Sequence, residues 1–225
     1  NKLLYSKSNP GLGVIIIGER EDSKVYVNMK KKTCKYVGIL TKSITLDENV
    51  TTENVIGAVN IFNNDKTIHG ILIQLPLPKH INENEVLTAV NIDKDVDGFH
   101  ATNMGNLALD GREPLFTPCT PLGCLKLIDH YDIELEGKHA VVIGKSNIVG
   151  LPISLLLMKR NATVSVCHIY TKNLKELCKN ADILVSACGQ AEMIKKDWLK
   201  EGAVIIDIGI NHINDPENPE KRKIV

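Results

Sequence analysis

Apolar runs of strand length alternate with segments of helical periodicity through the first half of the chain. Residues 12–18 (LGVIIIG) are rich in β-branched side chains, which is typical of a strand buried on both faces of a parallel sheet. The pattern predicts strands over residues 12–18, 39–46 and 68–77, and helices over residues 23–36, 51–62 and 83–90. This β-α-β-α-β-α order predicts a parallel sheet with right-handed crossovers.

The regular pattern lapses between residues 91 and 119, where acidic residues, glycines and Asn103 are interspersed. We predict an irregular loop here, and a loop of this length in a compact domain is usually functional or disordered. A helix is predicted from Pro118 to Tyr131, with Thr120 as its N-cap and Pro121 at the first helical position.

Strands and helices alternate again in the second half of the chain. The pattern predicts strands over residues 139–144, 162–168, 182–187 and 203–210, and helices over residues 149–160, 173–179 and 195–199. We therefore predict an α/β protein of two domains. An α/β substrate and catalytic domain covers residues 1–119, and a Rossmann-type dinucleotide-binding domain covers residues 120–225.

Composition and charge narrow the class of protein. Lys and Arg together number 27, as do Asp and Glu, so the chain lacks the excess positive charge that nucleic acids and anionic membranes attract. The longest apolar runs are of strand length and too short to span a bilayer. We therefore expect neither nucleic acid nor a membrane as a partner.

The cysteines and histidines form no metal-binding pattern. The six cysteines include no C-x-x-C pair and the seven histidines lack ligand spacing, so we predict no metal site. We expect the cysteines to be buried, reduced thiols of an intracellular protein in the cytoplasm. Because the chain begins at Asn1 rather than at Met, an organellar targeting segment stays open as an alternative.

The stretch from Gly144 to Gly150 follows an apolar run and precedes a predicted helix, as in loops that bind dinucleotide phosphates through backbone N–H groups. Its spacing is G-x-S-x-x-x-G, whereas the common pattern is G-x-G-x-x-G. Lys145 suits an additional phosphate such as that on the ribose of NADP, and the alternative is an exposed turn lysine. The next predicted strand ends in Cys167-His168 without an acidic residue, which argues against an NAD-type ribose contact.

Further candidates lie in the first half of the chain. Ser23, Tyr26 and Lys30 share one face of the first predicted helix, which is otherwise read as a solvated face. Gln74 lies near the carboxyl end of a buried strand, where it either caps a loop or binds a ligand. Asp97 lies in the long loop, where its carboxylate can accept hydrogen bonds from a heterocycle with amino and ring N–H groups.

Taken together, these segments resemble the methylenetetrahydrofolate dehydrogenase/cyclohydrolase family. The matching motifs occur in the family's order and cover nearly the whole chain. They are S-x-x-Y-V-x-x-K from Ser23, G-I-L-I-Q-L-P-L-P from Gly70, D-V-D-G from Asp95, P-C-T-P from Pro118, G-K-S-x-I-V-G-x-P from Gly144 and D-I-G-I-N from Asp207. Jointly these motifs are far more specific than any one of them.

The resemblance implies a homodimer of two-domain subunits with a folate cleft between the domains. It implies that Tyr26 packs on the aminobenzoate ring, that Lys30 is the catalytic lysine hydrogen-bonded to Gln74, and that Asp97 holds the pterin. The implied catalytic residues are Lys30, Gln74, Asp97 and Tyr26, and the implied substrate-binding residues add Ser23, Leu75 and Pro76. The implied cofactor-binding residues are Gly144, Lys145, Ser146, Ile148, Val149, Gly150, His168, Gly189 and Ile210.

The implied activity is oxidation of 5,10-methylenetetrahydrofolate with NADP, followed by hydrolysis of the methenyl product to 10-formyltetrahydrofolate. Our hypothesis is that Lys30 matters chiefly for the hydrolysis, which needs a proton acceptor and donor. The family pattern usually has Arg at position 145 and Ser at position 169, where this chain has Lys145 and Ile169. NADP is therefore favoured, with NAD as the alternative.

Alternative functions stay open at this point. They are a monofunctional dehydrogenase, a non-catalytic folate- or dinucleotide-binding subunit, and an oxidoreductase of another substrate class such as a shikimate-type dehydrogenase. The last would not explain the Q-L-P-L-P and D-V-D-G segments. The chain ends before the family's Gly-Asp-Val segment and its proline- and glycine-rich loop beside the nicotinamide, and we expect dehydrogenase activity to depend on that loop.

Overall fold

The computed structural model describes residues 9–19, 21–214 and 222–224, with the backbone alone described for residues 21–25, 212–214 and 222–224. Contacts divide the chain into two units. Unit 1 comprises Asn1–Asn106 and Arg112–Thr117, and unit 2 comprises Leu107–Gly111 and Pro118–Val225.

Unit 1 is built on a parallel sheet in which β1 lies between its two neighbours, in the order β2-β1-β3. Its strands are β1 (Gly11–Ile17), β2 (Leu40–Leu46) and β3 (Gly70–Ile73), and its helices include α1 (Glu21–Tyr36), α2 (Thr52–Asn64) and α3 (Glu83–Thr88). A 3-10 turn (Ile92–Lys94) and helix α4 (Ala101–Ala108) follow. All three strands direct their carboxyl ends to one edge, which therefore gathers the loops that follow them.

The core of unit 1 forms where β1 and β3 pack on α2 and α3. Ile15, Val55, Val59 and Val86 are all fully buried in one apolar cluster. Thr51 caps α2, since its side chain accepts a hydrogen bond from the backbone N–H of Asn54. This packing fixes β1 and β3, whose carboxyl ends carry the candidate site.

The carboxyl end of α2 is capped by a lysine from another part of the chain. Lys94 Nζ donates to the main-chain oxygens of Phe62, Asn63 and Asp65 at 2.9, 2.8 and 3.0 Å. A cation at this position satisfies carbonyl groups that the helix leaves unpaired and is attracted by the helix dipole. The segment that begins the long loop is thereby attached to α2.

Unit 2 carries a second parallel sheet, with strand order β5-β4-β6-β7. Its strands are β4 (His139–Ile143), β5 (Thr163–Cys167), β6 (Ile183–Ser186) and β7 (Val204–Asp207), and its helices include α5 (Cys119–His130), α6 (Gly150–Lys159) and α7 (Leu174–Lys179). A 3-10 turn (Lys196–Trp198) precedes β7, and β8 (His212–Asn214) pairs antiparallel with β9 (Arg222–Ile224). Because β4 has β5 on one side and β6 on the other, the chain reverses its winding at β4, which is where α/β sheets bind ligands.

The two-domain α/β class predicted from the sequence is confirmed, and several details of the elements were wrong. The strand predicted to residue 77 ends at Ile73, because the prolines at 76 and 78 have no N–H to donate to a neighbouring strand. The predicted irregular segment contains α4, whose helical pattern Asn103 and Gly105 obscure. Thr120 is not the N-cap and Pro121 is not the first helical residue, since α5 begins at Cys119 with Pro118 as its N-cap.

Two further elements of unit 2 differ from prediction. Residues 195–199 form only a short 3-10 turn, and the strand predicted to residue 210 ends at Asp207. All six cysteines lie among the described residues and none forms a disulfide; Cys34, Cys124, Cys167 and Cys178 are buried as expected, whereas Cys188 is only half-buried. Cys119 is exposed, contrary to the expectation, because it lies at the first turn of α5. Among the helices that the structure describes, none combines the length and apolar character that crossing a membrane requires.

Candidate functional site

A lysine and a glutamine from distant parts of the chain meet at the carboxyl edge of the unit 1 sheet. Lys30 lies on α1, which follows β1, and Gln74 directly follows β3. Lys30 Nζ donates a hydrogen bond to Gln74 Oε1 at 3.5 Å. The sequence resemblance implied this pair, and the structure brings its two members together.

The Gln74 amide is held in one orientation. Its Nε2 donates to the main-chain oxygen of Leu75 at 2.8 Å, and its backbone N–H donates to the main-chain oxygen of Ile15 at 3.0 Å. Since the amide NH₂ is engaged by a carbonyl group, the amide oxygen is the atom that faces Lys30. Gln74 therefore fixes where the lysine ammonium group sits.

Asp97 is the third polar group at this edge. The carboxyl group is largely buried, and burial raises its pKa to about 6. The positive charge of Lys30 opposes this rise in the pKa, and the negative charge of Asp95 adds to it. Near neutral pH Asp97 can thus bind as a carboxylate or donate a proton with little cost in free energy.

The loop that carries Asp97 is tied back on itself by Asp95. The Asp95 carboxylate accepts hydrogen bonds from the backbone N–H groups of Phe99 and His100, at 3.2 and 2.9 Å, and from Asn103 Nδ2 at 2.7 Å. The sequence pattern marks Asn103 only as one polar residue of a predicted irregular segment. Its spacing of eight residues from Asp95 gave no periodic signal from which this contact could have been predicted.

The remaining predicted folate residues lie nearby in the fold of unit 1. Tyr26 lies one turn before Lys30 on α1 and is 36% exposed, so its ring is available to a ligand. The backbone of Ser23 belongs to α1, and its side chain lies outside the described residues. Leu75 is half-buried against the core, and Pro76 is exposed.

A cavity of about 590 Å³ opens beside these residues at the same edge of the sheet. Its lining includes Pro76, Leu77 and Pro78, which follow β3, Gly18, which follows β1, and Glu48, which follows β2. Lys30, Gln74 and Asp97 are not among the residues that line it.

The loop after β4 in unit 2 is shaped by close backbone contacts. A Cβ atom on Gly150 would lie 2.1 Å from the main-chain oxygen of Gly144, and one on Gly144 would lie 2.4 Å from that of Ala187. Gly144 also has a φ of +115°, a conformation that favours glycine. The backbone thus approaches itself as closely as atoms allow, and Lys145, Ser146 and Asn147 between the two glycines are exposed.

Ser146 closes the loop onto the first turn of α6. Its Oγ accepts hydrogen bonds from the backbone N–H groups of Val149 and Gly150 at 3.2 and 3.3 Å. Lys145 and Ser146 are exposed, whereas Ile148 and Val149 are half-buried. The predicted phosphate loop is therefore pre-shaped, and its cationic side chain is directed to solvent.

The other predicted cofactor residues follow neighbouring strands at the same edge. His168 follows β5, Gly189 lies beyond β6, and Ile210 lies beyond β7. His168 Nδ1 accepts a hydrogen bond from the backbone N–H of Tyr170 at 3.2 Å, and Ile210 is 50% exposed. No atom lies within 4 Å of a Cβ built on Gly189. The loop from Gly144 to Gly150 lies at the point where the chain reverses its winding, and the ends of β5, β6 and β7 lie at the same edge of the sheet. This arrangement fits a dinucleotide.

Within the part of the chain that the structure describes, no group of three or more His, Cys, Asp or Glu side chains is arranged to hold a metal ion.

Comparison with known protein families gives matches to both halves of the chain. The model described as tetrahydrofolate dehydrogenase/cyclohydrolase, catalytic domain, matches residues 1–97. The model described as tetrahydrofolate dehydrogenase/cyclohydrolase, NAD(P)-binding domain, matches residues 118–225.

Similar proteins carry related names. The chloroplastic bifunctional protein FolD 4 of Arabidopsis thaliana is 53% identical over 216 residues, which are 96% of this chain and 60% of that protein. This chain therefore spans less than two thirds of that relative's length.

Solved structures give the same result. The bifunctional methylenetetrahydrofolate dehydrogenase/cyclohydrolase FolD from Campylobacter jejuni is similar with a TM-score of 0.89 and 43% identity, covering 100% of this chain and 78% of that one. The Trypanosoma brucei enzyme complexed with NADP and an inhibitor gives a TM-score of 0.94 and 35% identity, covering 100% of this chain and 76% of that one.

Proposed function

The chain belongs to the tetrahydrofolate dehydrogenase/cyclohydrolase family, and we propose that it catalyses both reactions of that name. The first is oxidation of 5,10-methylenetetrahydrofolate to the methenyl form, and the second is hydrolysis of that form to 10-formyltetrahydrofolate. The observation that carries the proposal is the hydrogen bond from Lys30 Nζ to Gln74 Oε1, formed where the charge of Lys30 also acts on Asp97.

Hydrolysis of the methenyl cation requires water to add to the one-carbon unit and to lose a proton. Lys30, the amine held at this edge by Gln74, is proposed to accept that proton. The nitrogen–carbon bond of the ring then breaks, and the proton passes to the departing ring nitrogen. Gln74 holds the amine in place throughout, because its amide oxygen is already directed at Lys30.

Asp97 is proposed to bind the pterin through its carboxyl group. A pterin presents an amino group and a ring N–H side by side, and a carboxylate accepts hydrogen bonds from both. Tyr26 is proposed to pack on the aminobenzoate ring, and Ser23, Leu75 and Pro76 to complete the substrate contacts. The exposure of Tyr26 and Pro76 supports these assignments.

The dinucleotide is proposed to bind the loop from Gly144 to Gly150, with His168, Gly189 and Ile210 at the neighbouring strand ends. When bound, NADP supplies the acceptor for the hydride that leaves the methylene carbon. The loop contributes backbone N–H groups, and Lys145 contributes a positive charge suited to the extra phosphate of NADP. NAD stays the alternative, because Ile169 lacks a hydroxyl donor and is 90% exposed.

The lysine assignment predicts a selective defect. In Lys30→Met we expect the rate of methenyltetrahydrofolate hydrolysis to fall by about 10²- to 10⁴-fold, the usual contribution of a positioned acid or base. Decay of methenyltetrahydrofolate absorbance measures hydrolysis, and reduced cofactor in acid-quenched samples measures oxidation. Lys32→Met is the matched control, since Lys32 is exposed on the same helix. Full hydrolysis in Lys30→Met would contradict the assignment.

The cofactor assignment predicts a smaller effect. In Lys145→Ala we expect the KM for NADP to rise about tenfold, the equivalent of one lost charge–phosphate contact, with the KM for NAD nearly unchanged. Running both cofactors in parallel measures this. An equal change in the two KM values would place Lys145 away from the extra phosphate.

The same assay on the unmodified protein separates the alternative functions. Cofactor reduction without accelerated methenyl decay would indicate a monofunctional dehydrogenase. Binding of folate or dinucleotide with neither rate above the uncatalysed reaction would indicate a non-catalytic subunit.

We also propose that residues 1–119 form the folate-binding catalytic domain, that residues 120–225 form the NAD(P)-binding domain, and that the protein is a homodimer in the cytoplasm. The names of relatives assign them variously to the chloroplast, the mitochondrion and the cytoplasm, so composition alone supports this location. Light scattering coupled to size-exclusion chromatography tests the oligomeric state.

A further inference from the structure

Two buried polar side chains lie on either side of Asp97 in the sequence, one within the loop of residues 95–100 and one on α4. Asp95 is 4% exposed and Asn103 is 0% exposed, and both belong to unit 1. Among the described residues, no buried side-chain nitrogen or oxygen lacks a hydrogen-bond partner. Burying such groups is unfavourable unless every partner is in place, so the network constrains the backbone around it.

Asn103 links three segments of the chain. Its Nδ2 donates to the Asp95 carboxylate at 2.7 Å, and its Oδ1 accepts from the backbone N–H groups of Leu115 and Phe116 at 2.9 and 3.3 Å. Both ends of the amide are thus occupied, and neither contacts solvent. The side chain joins the loop of residues 95–100 to α4 and to the segment at residues 115–116.

The opposite side of the loop is attached to the sheet. Asp95 forms a parallel bridge with Ile71 of β3, and Val96 packs on Gly70, where an added Cβ would lie 2.5 Å from Val96 Cγ1. Gln74 follows the same strand. The position of Asp97 relative to Gln74 and Lys30 is therefore set by β3 on one side and by the Asp95–Asn103 pair on the other.

We propose that Asp95 and Asn103 are positioning residues: their hydrogen bonds hold the loop of residues 95–100 so that the carboxyl group of Asp97 stays within reach of Lys30. The kinetic consequences of this inference rest on the proposed folate activity, whereas its structural consequence does not.

The charged groups that act on Asp97 are Lys30 from α1 and Asp95 from its own loop, and the charge of Asp95 raises the pKa of Asp97. Removing that charge while keeping the shape of the side chain therefore lowers the pKa of Asp97. Substitution of Asn103 is expected to loosen the loop and to admit water to the carboxyl group of Asp97. Because burial raises the pKa of Asp97, access of water lowers that pKa as well.

The first test measures the titration of Asp97 in Asp95→Asn by carbon-13 NMR of the aspartate carboxyl groups, with Asp97→Asn used to assign the signal. We expect the measured pKa of Asp97 to fall from about 6 toward its ordinary value of 3.8. Asp93→Asn is the matched control, because it removes an equal charge two residues away at an exposed position. This readout needs no enzymatic activity.

The second test uses Asn103→Leu, which keeps the approximate volume and removes both sets of hydrogen bonds. We expect the KM for methenyltetrahydrofolate to rise about tenfold or more, because a small displacement of a binding group is amplified in the rate constants. We expect a smaller loss in kcat, since Lys30 and Gln74 are untouched, and a pKa of Asp97 that falls as in Asp95→Asn. Asn106→Leu on the same helix is the control.

An unchanged pKa of Asp97 in folded Asp95→Asn and Asn103→Leu would overturn the proposal, even if both variants melted at lower temperature. If Asn103→Leu does not fold, Asn103→Ser and Asp95→Asn decide the question by the same NMR titration. Absence of folate turnover in the unmodified protein would refute the proposed function and leave the NMR result to decide the positioning role.

Discussion

The two candidate sites are held in shape by different kinds of contact. In unit 1, the geometry at the sheet edge depends on hydrogen bonds between side chains, as in the contacts of Lys30 with Gln74 and of Asp95 with Asn103. In unit 2, it depends on backbone atoms in close contact, with Gly144 and Gly150 leaving no room for a Cβ. Both sites nonetheless occupy the same place in their sheets, at the carboxyl ends of parallel strands.

The difference follows from what each site is proposed to recognise. A phosphate is bound by backbone N–H groups, which any sequence supplies once the backbone can come close enough. A pterin and a reacting one-carbon unit need side chains with a defined charge and proton state. Substitutions in unit 2 should thus act through steric contact, and those in unit 1 through charge and hydrogen bonding.

The largest expected effect comes from filling the backbone contact in unit 2. In Gly150→Ala the new Cβ would meet the Gly144 oxygen at 2.1 Å, so the loop has to move. We expect dehydrogenase kcat/KM to fall about 100-fold, as displacements near 1 Å do in other sites, with methenyl hydrolysis nearly unchanged. Gly123→Ala in α5, where nothing lies within 4 Å of an added Cβ, is the control. Comparable losses in both activities would remove the distinction between the sites.

The second effect, of medium size, is a gain in stability when Asp97 of unit 1 is substituted, whereas the first effect is a loss of activity. Burial raises the pKa of Asp97 from 3.8 to about 6, so the folded state binds more protons than the unfolded state between these pH values. The stability of the natural protein therefore falls as the pH rises through this window and stays lower above it. We therefore compare the free energies of unfolding of Asp97→Asn and of the natural protein. We expect the difference between them to favour Asp97→Asn by about 2 kcal/mol more at pH 7.5 than at pH 4.

Urea unfolding of Asp97→Asn and the natural protein at the two pH values, followed by circular dichroism, measures this gain. Asp93→Asn should show none, because Asp93 is exposed. A stability difference for Asp97→Asn that is the same at pH 4 and pH 7.5 would show that the charge of Asp97 is not costly in the fold.

The smallest expected effect concerns the support of the same loop. Lys94→Met removes the cation that bonds three carbonyl oxygens at the end of α2, and we expect a loss of about 1–2 kcal/mol in unfolding free energy. Lys66→Met, in the exposed turn that follows α2, is the control and should be close to neutral. The measurement is urea unfolding at pH 7.5, and equal losses in the two variants would indicate a general charge effect.

Local sequence pattern was enough to predict most of the sheet strands and the helices between them. A buried parallel strand such as β1 needs a continuous apolar run, and the segments between strands showed helical spacing. The pattern failed at α4, because its helix includes Asn103 and Gly105, residues that are more frequent in loops. Asn103 is buried there because its amide has partners in distant segments.

The positions of site residues were predictable to the extent that strand ends define them. Gln74 and Gly144 follow strands, and parallel strands end at a common edge. By contrast, the contact of Lys94 with the end of α2 and the contact of Asp95 with Asn103 join groups 29–32 and 8 residues apart, without any periodic signal. Such bonds depend on how elements pack, which residue spacing does not encode.

The predicted phosphate loop contains positions that tolerate no side chain, and it lies beside positions that are exposed and free to vary. Gly144 and Gly150 face backbone atoms and accept no side chain, whereas Lys145 and Ile169 are exposed and meet no such restriction. On the proposed cofactor assignment, the two glycines form a fixed frame that sets where the dinucleotide lies, and Lys145 and Ile169 form a variable rim that sets which dinucleotide is preferred. On the same assignment, coenzyme preference is a property that can be redesigned at the rim without rebuilding the fold.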